Sequence, residues 1–377
     1  VAGAIEEGPG ERLTGVAQKG AFERGSSVLA LELDAALVQT GRTFTAQVTD
    51  DTGRFVVSVN STAGSYVQVT TNGFYYDEVT DSDSAAPLQL VALAHLRDRA
   101  TVNVNVLTDL EAPRVEYLVS HGASFDAAKT QAESEVLAAF DITLPTPPFS
   151  QELDETGTSE ADAALLAVST LVQGYLSVSE VSELLSVISQ DLRQDGTFED
   201  ADAGAELMNA ASLVSPALVR ERLTTRYAPL GFGVELGDFE SYIENFRQQA
   251  PYPLVSRIKF AGLGTYGPNV MALSGAISVG DYSLAALTPE KEPVRFRLTW
   301  TGDPGMGGVW YYSDIVNMTA TDFDFSTGAQ DFTVTDPGSP SDVHLMFMAG
   351  TTGSARIEVY EGDAGALTET REISWGH

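Results

Sequence analysis

From residue 11 to about 95 the chain alternates apolar and polar positions in short runs. They are Val28-Leu29-Ala30-Leu31-Glu32-Leu33, Thr43-Phe44-Thr45-Ala46-Gln47-Val48, Phe55-Val56-Val57-Ser58-Val59 and Tyr66-Val67-Gln68-Val69-Thr70. Turn residues bound each run: Gly25-Ser26, Thr40-Gly41, Asp51-Thr52-Gly53 and Asn72-Gly73. A period of two, broken by turns every ~8–12 residues, predicts the antiparallel strands of a sandwich or barrel. Phe55, Val57 and Val59 fall on one face, and Gly53 supplies the positive φ of the turn before them. A last strand, Leu88 to Leu93, follows the acidic loop Asp77 to Ser84.

From about 105 to 250 the period becomes helical and predicts six or seven helices. Ser124 precedes the run Phe125 to Phe140, and Ser159 with Asp162 and Ser177 with Glu180 have capping-box spacing. Ser215-Pro216 puts proline at a first helical position, where its missing N–H does no harm. Gly196 and Gly231 stand where left-handed C-caps are expected, and a helix from near Asp238 stops at Pro251. Residues 144–157, with Pro145, Pro147 and Pro148 followed by acids, read as an extended solvated connection.

Alternation returns after residue 253. The predicted strands are Val255–Phe260, Val270–Ala276, Val294–Trp300, Gly308–Tyr312, Phe332–Thr335, Val343–Met348, Ala355–Tyr360 and Thr368–Trp375. The expected architecture is multidomain β + α. An arm (1–12) leads to an antiparallel β-sandwich (13–98), a central all-α helical domain (99–251) and a second antiparallel β-sandwich (252–377).

The residues Gly15-Val16, Gly25-Ser26-Ser27-Val28, Thr49-Asp50-Asp51-Thr52-Gly53-Arg54-Phe55, Tyr66-Val67-Gln68-Val69-Thr70 and Gly73-Phe74-Tyr75 give the first quarter a family likeness. It resembles the carboxypeptidase-regulatory-like (prealbumin-like) β-sandwich modules of bacterial surface lipoproteins. Val16-Ala17-Gln18-Lys19-Gly20-Ala21-Phe22 and Val102-Asn103-Val104-Asn105-Val106-Leu107-Thr108 also resemble an arrangement in those proteins, where a helical segment follows the small sandwich. The resemblance implies a spacer, stalk or adhesin segment and carries no catalytic residues with it. It does not reach the C-terminal region.

Charge sharpens this picture. Fifty-three acidic residues face 21 Lys and Arg, for a net charge of −32, and Lys19, Lys129, Lys259 and Lys291 are the only lysines. Such a surface repels phosphate backbones and anionic membranes, so nucleic acid is excluded as a partner. A saline habitat or a GC-rich genome would each account for the bias. No run of ~18 apolar residues exists, so no transmembrane segment is expected. The absence of cysteine removes disulfides and thiolate chemistry. Because the sequence opens at Val1, a secretion leader is expected to have been removed already, and a lipid anchor would lie upstream of it.

Candidate chemistry is sparse. His95, His121, His344 and His377 have no metal-ligand spacing and read as surface or capping residues. Gly262-Leu263-Gly264-Thr265-Tyr266-Gly267 matches a dinucleotide fingerprint, but Pro268 and a strand follow, so a turn is expected. The acid pairs Glu152/Asp154, Asp322/Asp324 and Glu361/Asp363 are of a kind that abundant acids produce by chance. Calcium is the one cofactor to weigh: Asp191, Asp195, Asp200 and Asp202 surround Gly196 between two helices. Arg193 occupies an expected ligand position there, so paired helix caps are the alternative reading. Asp50-Asp51, and Asp77-Glu78 with Asp81 and Asp83, are weaker calcium candidates. Trp300, Trp310, Tyr311 and Tyr312 offer a sugar-stacking platform, with core packing as the alternative.

The function these readings predict is non-enzymatic: a structural or adhesive bacterial protein, extracellular or on the outer cell surface. Its partners would be other surface proteins, glycans or further copies of itself. The alternatives are a filament or array subunit assembled by β-strand pairing through residues 1–12, and a carbohydrate-binding protein.

Overall fold

The computed structural model describes residues 11–59, 66–96, 101–145, 149–174, 176–231, 233–253, 258–264, 278–286, 294–302, 308–314, 317–322, 328–334, 341–348, 353–361 and 367–375. Residues 1–10 of the expected arm lie outside these. The chain divides into two compact units, Val1–Ala211 with Pro216–Tyr252, and Ser212–Ser215 with Pro253–His377.

The first unit opens with strands β1 (Glu11–Val16), β2 (Ser27–Leu33), β3 (Gln39–Gln47), β4 (Arg54–Val59), β5 (Tyr66–Gly73), β6 (Tyr76–Asp77), β7 (Ser82–Asp83) and β8 (Leu88–His95). An antiparallel sheet has the order β3-β2-β5-β8, while β1 pairs with β4 and β6 with β7. The alternation in β4 works as expected: Phe55, Val57 and Val59 are buried while Arg54 and Ser58 face solvent. Gly53 has φ +80°, and a Cβ there would stand 2.2 Å from the Ala17 carbonyl oxygen. No other residue type suits both the turn and that close approach.

Beyond β8, residues 101 and 104 form parallel bridges to Thr14 and Ala17. This segment carries Val102, Val104 and Val106 inward and turns its asparagines to backbone. Asn103 Oδ1 accepts the Val16 amide at 3.0 Å and its Nδ2 donates to the Leu153 carbonyl at 2.8 Å. Asn105 caps the first helix by accepting the Thr108 amide at 3.0 Å, and donates to the Ser150 carbonyl at 2.9 Å. The connection around residues 150–155 is therefore held against the strands. Ser150, Gln151 and Glu155 in it are buried, which corrects its expected solvated character.

Seven α-helices follow among the described residues: α1 (Val106–Ser120), α2 (Phe125–Ala139), α3 (Glu160–Gln173), α4 (Val178–Asp195), α5 (Ala201–Leu213), α6 (Pro216–Tyr227) and α7 (Phe239–Gln249). The sequence signals place their ends well. Ser124 caps α2, both Ser–acid boxes close on α3 and α4, and Asp238 caps α7. Gly196 ends α4 in the left-handed region at φ +76°. Helices and sheet share one core, in which Leu33 and Leu93 pack with Ala112 and Val115 of α1 and with Phe125, Ala128 and Ala132 of α2. Asp109 of α1 accepts the Val91 amide at 2.8 Å, so the β8 edge is met by a helix.

In the second unit the strands are β9 (Ile258–Gly264), β10 (Ser278–Ala286), β11 (Val294–Gly302), β12 (Gly308–Asp314), β13 (Asn317–Asp322), β14 (Ala329–Val334), β15 (Ser341–Met348), β16 (Gly353–Glu361) and β17 (Leu367–Trp375). They form two antiparallel sheets, β13-β12-β15-β10-β9 and β14-β11-β16-β17. β10 and β13 were not predicted; Gly280, Asp281 and Asn317 weaken their apolar signal. The predicted strand Val270–Ala276 lies outside the described residues. Gly262 to Gly264 complete β9 instead of forming the expected turn, and residues 265–267 lie outside the description.

Candidate functional site

Two fully buried lysines organise the polar interior of the first unit. Lys19 follows β1 in a run of buried residues, Ala17 to Phe22. Gly20 beside it has φ +58°, and a Cβ there would stand 1.8 Å from the Tyr76 carbonyl oxygen. That close approach brings Lys19 against the segment after β5. Lys19 Nζ donates to Glu78 Oε1 at 2.8 Å, with both side chains at 0% exposure, and lies 5.5 Å from the centre of the Tyr75 ring.

The helical half closes over this pair. Glu155 Oε2 accepts the Gly20 amide at 2.9 Å, the Glu155 amide donates to Gln18 Oε1 at 3.1 Å, and Gln18 Nε2 donates to Asp154 Oδ1 at 2.8 Å. From α3, Ser169 Oγ donates to Glu78 Oε1 at 3.4 Å. Gln173 accepts the Tyr75 hydroxyl at 2.9 Å and donates to Asp77 Oδ2 at 3.2 Å. From α6, Arg222 donates to the Val79 carbonyl and the Arg226 guanidinium lies 4.8 Å from the Tyr76 ring centre.

One ammonium thus faces the carboxyls of Asp77, Glu78 and Glu155. Burial, then the charge of Glu78, raises Asp77 to about 6 and Glu155 to about 8. Burial also raises the Tyr75 and Tyr227 phenols, so both stay neutral. At neutral pH a proton on Glu155 therefore removes one of the negative charges that face Lys19. Among the described residues, Glu78 Oε2 and Glu155 Oε1 are buried with no hydrogen-bond partner.

The second cluster joins α1, α2 and the 150–152 turn. Lys129 donates to Glu111 Oε1, with both buried. Ser150 Oγ lies 3.1 Å from Glu111 Oε2 and 3.0 Å from Glu133 Oε1. A hydroxyl has one hydrogen, so two ionised carboxylates cannot both be served. Burial, then the charge of Glu111, raises Glu133 to about 8, and this supplies the missing proton. Lys129 and Glu133 are four apart on α2 and share a face.

The residues singled out from sequence fall elsewhere. Asp191 Oδ2 accepts the amides of Glu199 at 2.6 Å and Asp200 at 2.9 Å. Asp195 accepts the Thr197 amide and Asp200 the Ala203 amide, at 3.0 and 2.9 Å, while Asp202 is exposed in the first turn of α5. Among the described residues no three His, Asp or Glu are grouped to hold a metal ion. Asp77 and Glu78, weighed as calcium ligands, lie in the interior instead. Trp300 of β11 is buried, at 7% exposure. The side chains of Trp310, Tyr311 and Tyr312 lie outside the described residues; in backbone register they pair with His344, Val343 and Asp342.

Sequence reasoning passed over both clusters because it treated lysine as a surface property. The available signals were a lysine between buried apolar neighbours in Val16-Ala17-Gln18-Lys19-Gly20-Ala21-Phe22, and asparagines inside the apolar run 102–106. No family model, curated protein or solved structure matches this chain.

Proposed function

We propose that this chain is a non-enzymatic structural or adhesive protein of a bacterium, working outside the cell or on its outer surface. The N-terminal sheets act as a prealbumin-like sandwich module, and the two sheets of the C-terminal unit as a second sandwich. The observation that supports this reading is where the buried polar groups of the first unit are spent. Gln18, the Gly20 amide, Tyr75 and Asp77 on the strand side bind Asp154, Glu155 and Gln173 on the helical side. Such groups make strand module and helices one stiff body, as a spacer or stalk requires. The −32 charge favours solubility and disfavours nucleic acid as a partner. The test is protease shaving and immunogold labelling of intact cells, alongside adhesion of a deletion strain. Labelling at the surface with reduced adhesion supports the reading; a strictly cytosolic protein, or turnover lost on changing one side chain, overturns it.

A second reading, a subunit of a surface filament, has its own support. β3 lies at one edge of the four-stranded sheet, pairs only with β2 among the described residues and is largely exposed. An open edge accepts an added strand. Negative-stain images of the purified chain distinguish polymer from monomer, and deletion of residues 1–12 tests whether that arm is the donor.

A further inference from the structure

We propose that residues 150–155 form a strap across the joint between strands and helices, and that alkali releases it while the helices stay folded. The strap is held mainly by hydrogen bonds. Leu153 is the single apolar side chain in Ser150-Gln151-Glu152-Leu153-Asp154-Glu155. On the strand side, the Ser150, Gln151 and Leu153 carbonyls accept from Asn105 Nδ2, the Asn103 amide and Asn103 Nδ2, at 2.9, 2.9 and 2.8 Å. Gln18 and the Gly20 amide hold its far end at Asp154 and Glu155, at 2.8 and 2.9 Å. On the helical side the Ser150 hydroxyl reaches Glu111 and Glu133, at 3.1 and 3.0 Å. Two buried acceptors of the strap, Gln151 Oε1 and Glu155 Oε1, have no partner among the described residues. Opening here therefore gains hydrogen bonds to water that the closed form lacks.

Each end of the strap rests on a site with more carboxyls than cations. At the Ser150 end, Glu111 of α1 and Glu133 of α2 face one ammonium, Lys129, and one hydroxyl hydrogen. At the other end Glu155 faces Lys19 and Glu78 on the strand side, Asp154 of the strap, Ser169 of α3 and Tyr227 of α6. Asp77 shares the same ammonium. A proton at each end therefore holds the closed form. Burial, then the neighbouring glutamate, keeps those protons on Glu133 and Glu155 up to about pH 8. Ionising both acids in place adds a buried negative charge at each end, and water stabilises it only once the strap lifts away. In the lifted state both return to their ordinary value of 4.5, so opening releases two protons. The margin of the closed form thus shrinks from 4.5 upward and is spent by about 8. Asp77 loses its proton near 6 and adds nothing above that. In the stiff-body role proposed above, release would loosen strands from helices in alkaline surroundings, but the inference itself does not need that role.

Hydrogen exchange of the full chain tests this, with each rate corrected for the ordinary base catalysis of amide exchange. The amides of Gly20, Asn103 and Glu155 report the strap directly, since each is bonded to it or lies in it. Their opening equilibrium should rise about 100-fold per pH unit between about pH 6.5 and 7.5, at roughly tenfold for each of two protons. Amides in the middle of α4 should exchange at least ~100-fold more slowly throughout, because they open only with the whole unit. Glu133→Gln and Glu155→Gln should each cut the slope to about tenfold, and the double variant should flatten it. A wild-type slope of about tenfold or less overturns the proposal, and that result needs no variant to fold. So does strap exchange that keeps pace with α4, which is global unfolding, and so does a full slope in either single variant.

Discussion

The Lys129 and Lys19 clusters are built from the same parts, one buried ammonium and more than one buried carboxyl, yet they are finished differently. Around Lys129, a serine hydroxyl bridges the two glutamates, so Glu111 and Glu133 are both satisfied within 3.1 Å. Around Lys19 the acids come from the strand side and from the connection ahead of α3, and two carboxyl oxygens have no partner among the described residues. The difference follows from location. The Lys129 cluster lies largely within one helical pair, α1 and α2, where a single short turn can supply Ser150. The Lys19 cluster must serve three separate elements at a joint. Similar parts therefore give a closed network in one place and an incompletely paired one in the other.

Removing the cation should break each cluster and give the largest effect. Lys129→Met leaves Glu111 buried without its partner and should cost ~3–5 kcal/mol in urea unfolding followed by the helical signal. Adding Glu111→Leu should restore most of that loss, because an ion pair replaced by packed apolar groups is close to neutral. At the other cluster, Lys19→Met with Glu78→Leu should recover less, because Asp77 and Glu155 stay buried without the ammonium they face. Equal recovery at both sites would erase the distinction drawn between them.

Titration should separate the clusters at the next level. Glu133 and Glu155 both have folded values near 8, above their ordinary 4.5, so the native chain binds more protons than the unfolded one between these limits. Their contribution to stability is complete below 4.5 and is lost as pH rises through about 8. Stability, and melting temperature with it, should fall as pH is raised across that window, by about 5 kcal/mol per group. Glu133→Gln keeps an acceptor for Ser150 and cannot ionise, so it should flatten the helical share of the fall. Glu155→Gln should flatten the share reported by amide exchange near Gly20. A profile that both variants leave unchanged would show that neither carboxyl holds a proton.

A third effect concerns how the joint is tied. Asn103→Ala strands the Val16 amide and the Leu153 carbonyl, and should cost ~1–3 kcal/mol. Hydrogen exchange should rise at Val16 and along residues 150–157 while α4 stays protected. Uniform loss of protection would mean that strands and helices unfold as one unit regardless of this tie.

Much of the fold was legible because local rules fixed it. Ser159 with Asp162 and Ser177 with Glu180 close their boxes, Gly196 caps α4, and Phe55, Val57 and Val59 point inward. Those signals depend only on neighbours in the chain. The joint was illegible for the opposite reason. Lys19 meets Glu78 across 59 residues and Tyr75 meets Gln173 across 98, and no spacing rule spans such distances. The low lysine count is visible in the sequence, but charge composition alone does not say which lysines are buried. Lys19 and Lys129 are both wholly buried, so the scarcity concerns the interior as well. The connection 144–157 misled in the same way: its prolines and acids suggested solvent, whereas Glu155 faces the Lys19 cluster.

The smallest predicted effect tests a contrast between buried acids and loop acids. Asp191 spends one oxygen on the amides of Glu199 and Asp200, which orders the turn between α4 and α5. Its work is that of a cap, so Asp191→Ala should cost about 1 kcal/mol, the usual scale for losing such a side-chain acceptor. That loss should be the same with and without added Ca²⁺, because oxygens already occupied by N–H groups are poorly free for a cation. Melting curves of both chains in calcium and in chelator decide the matter. A wild-type melting temperature that climbs with Ca²⁺, and an Asp191→Ala chain that does not respond, would return Asp191, Asp195, Asp200 and Asp202 to the role of ion ligands.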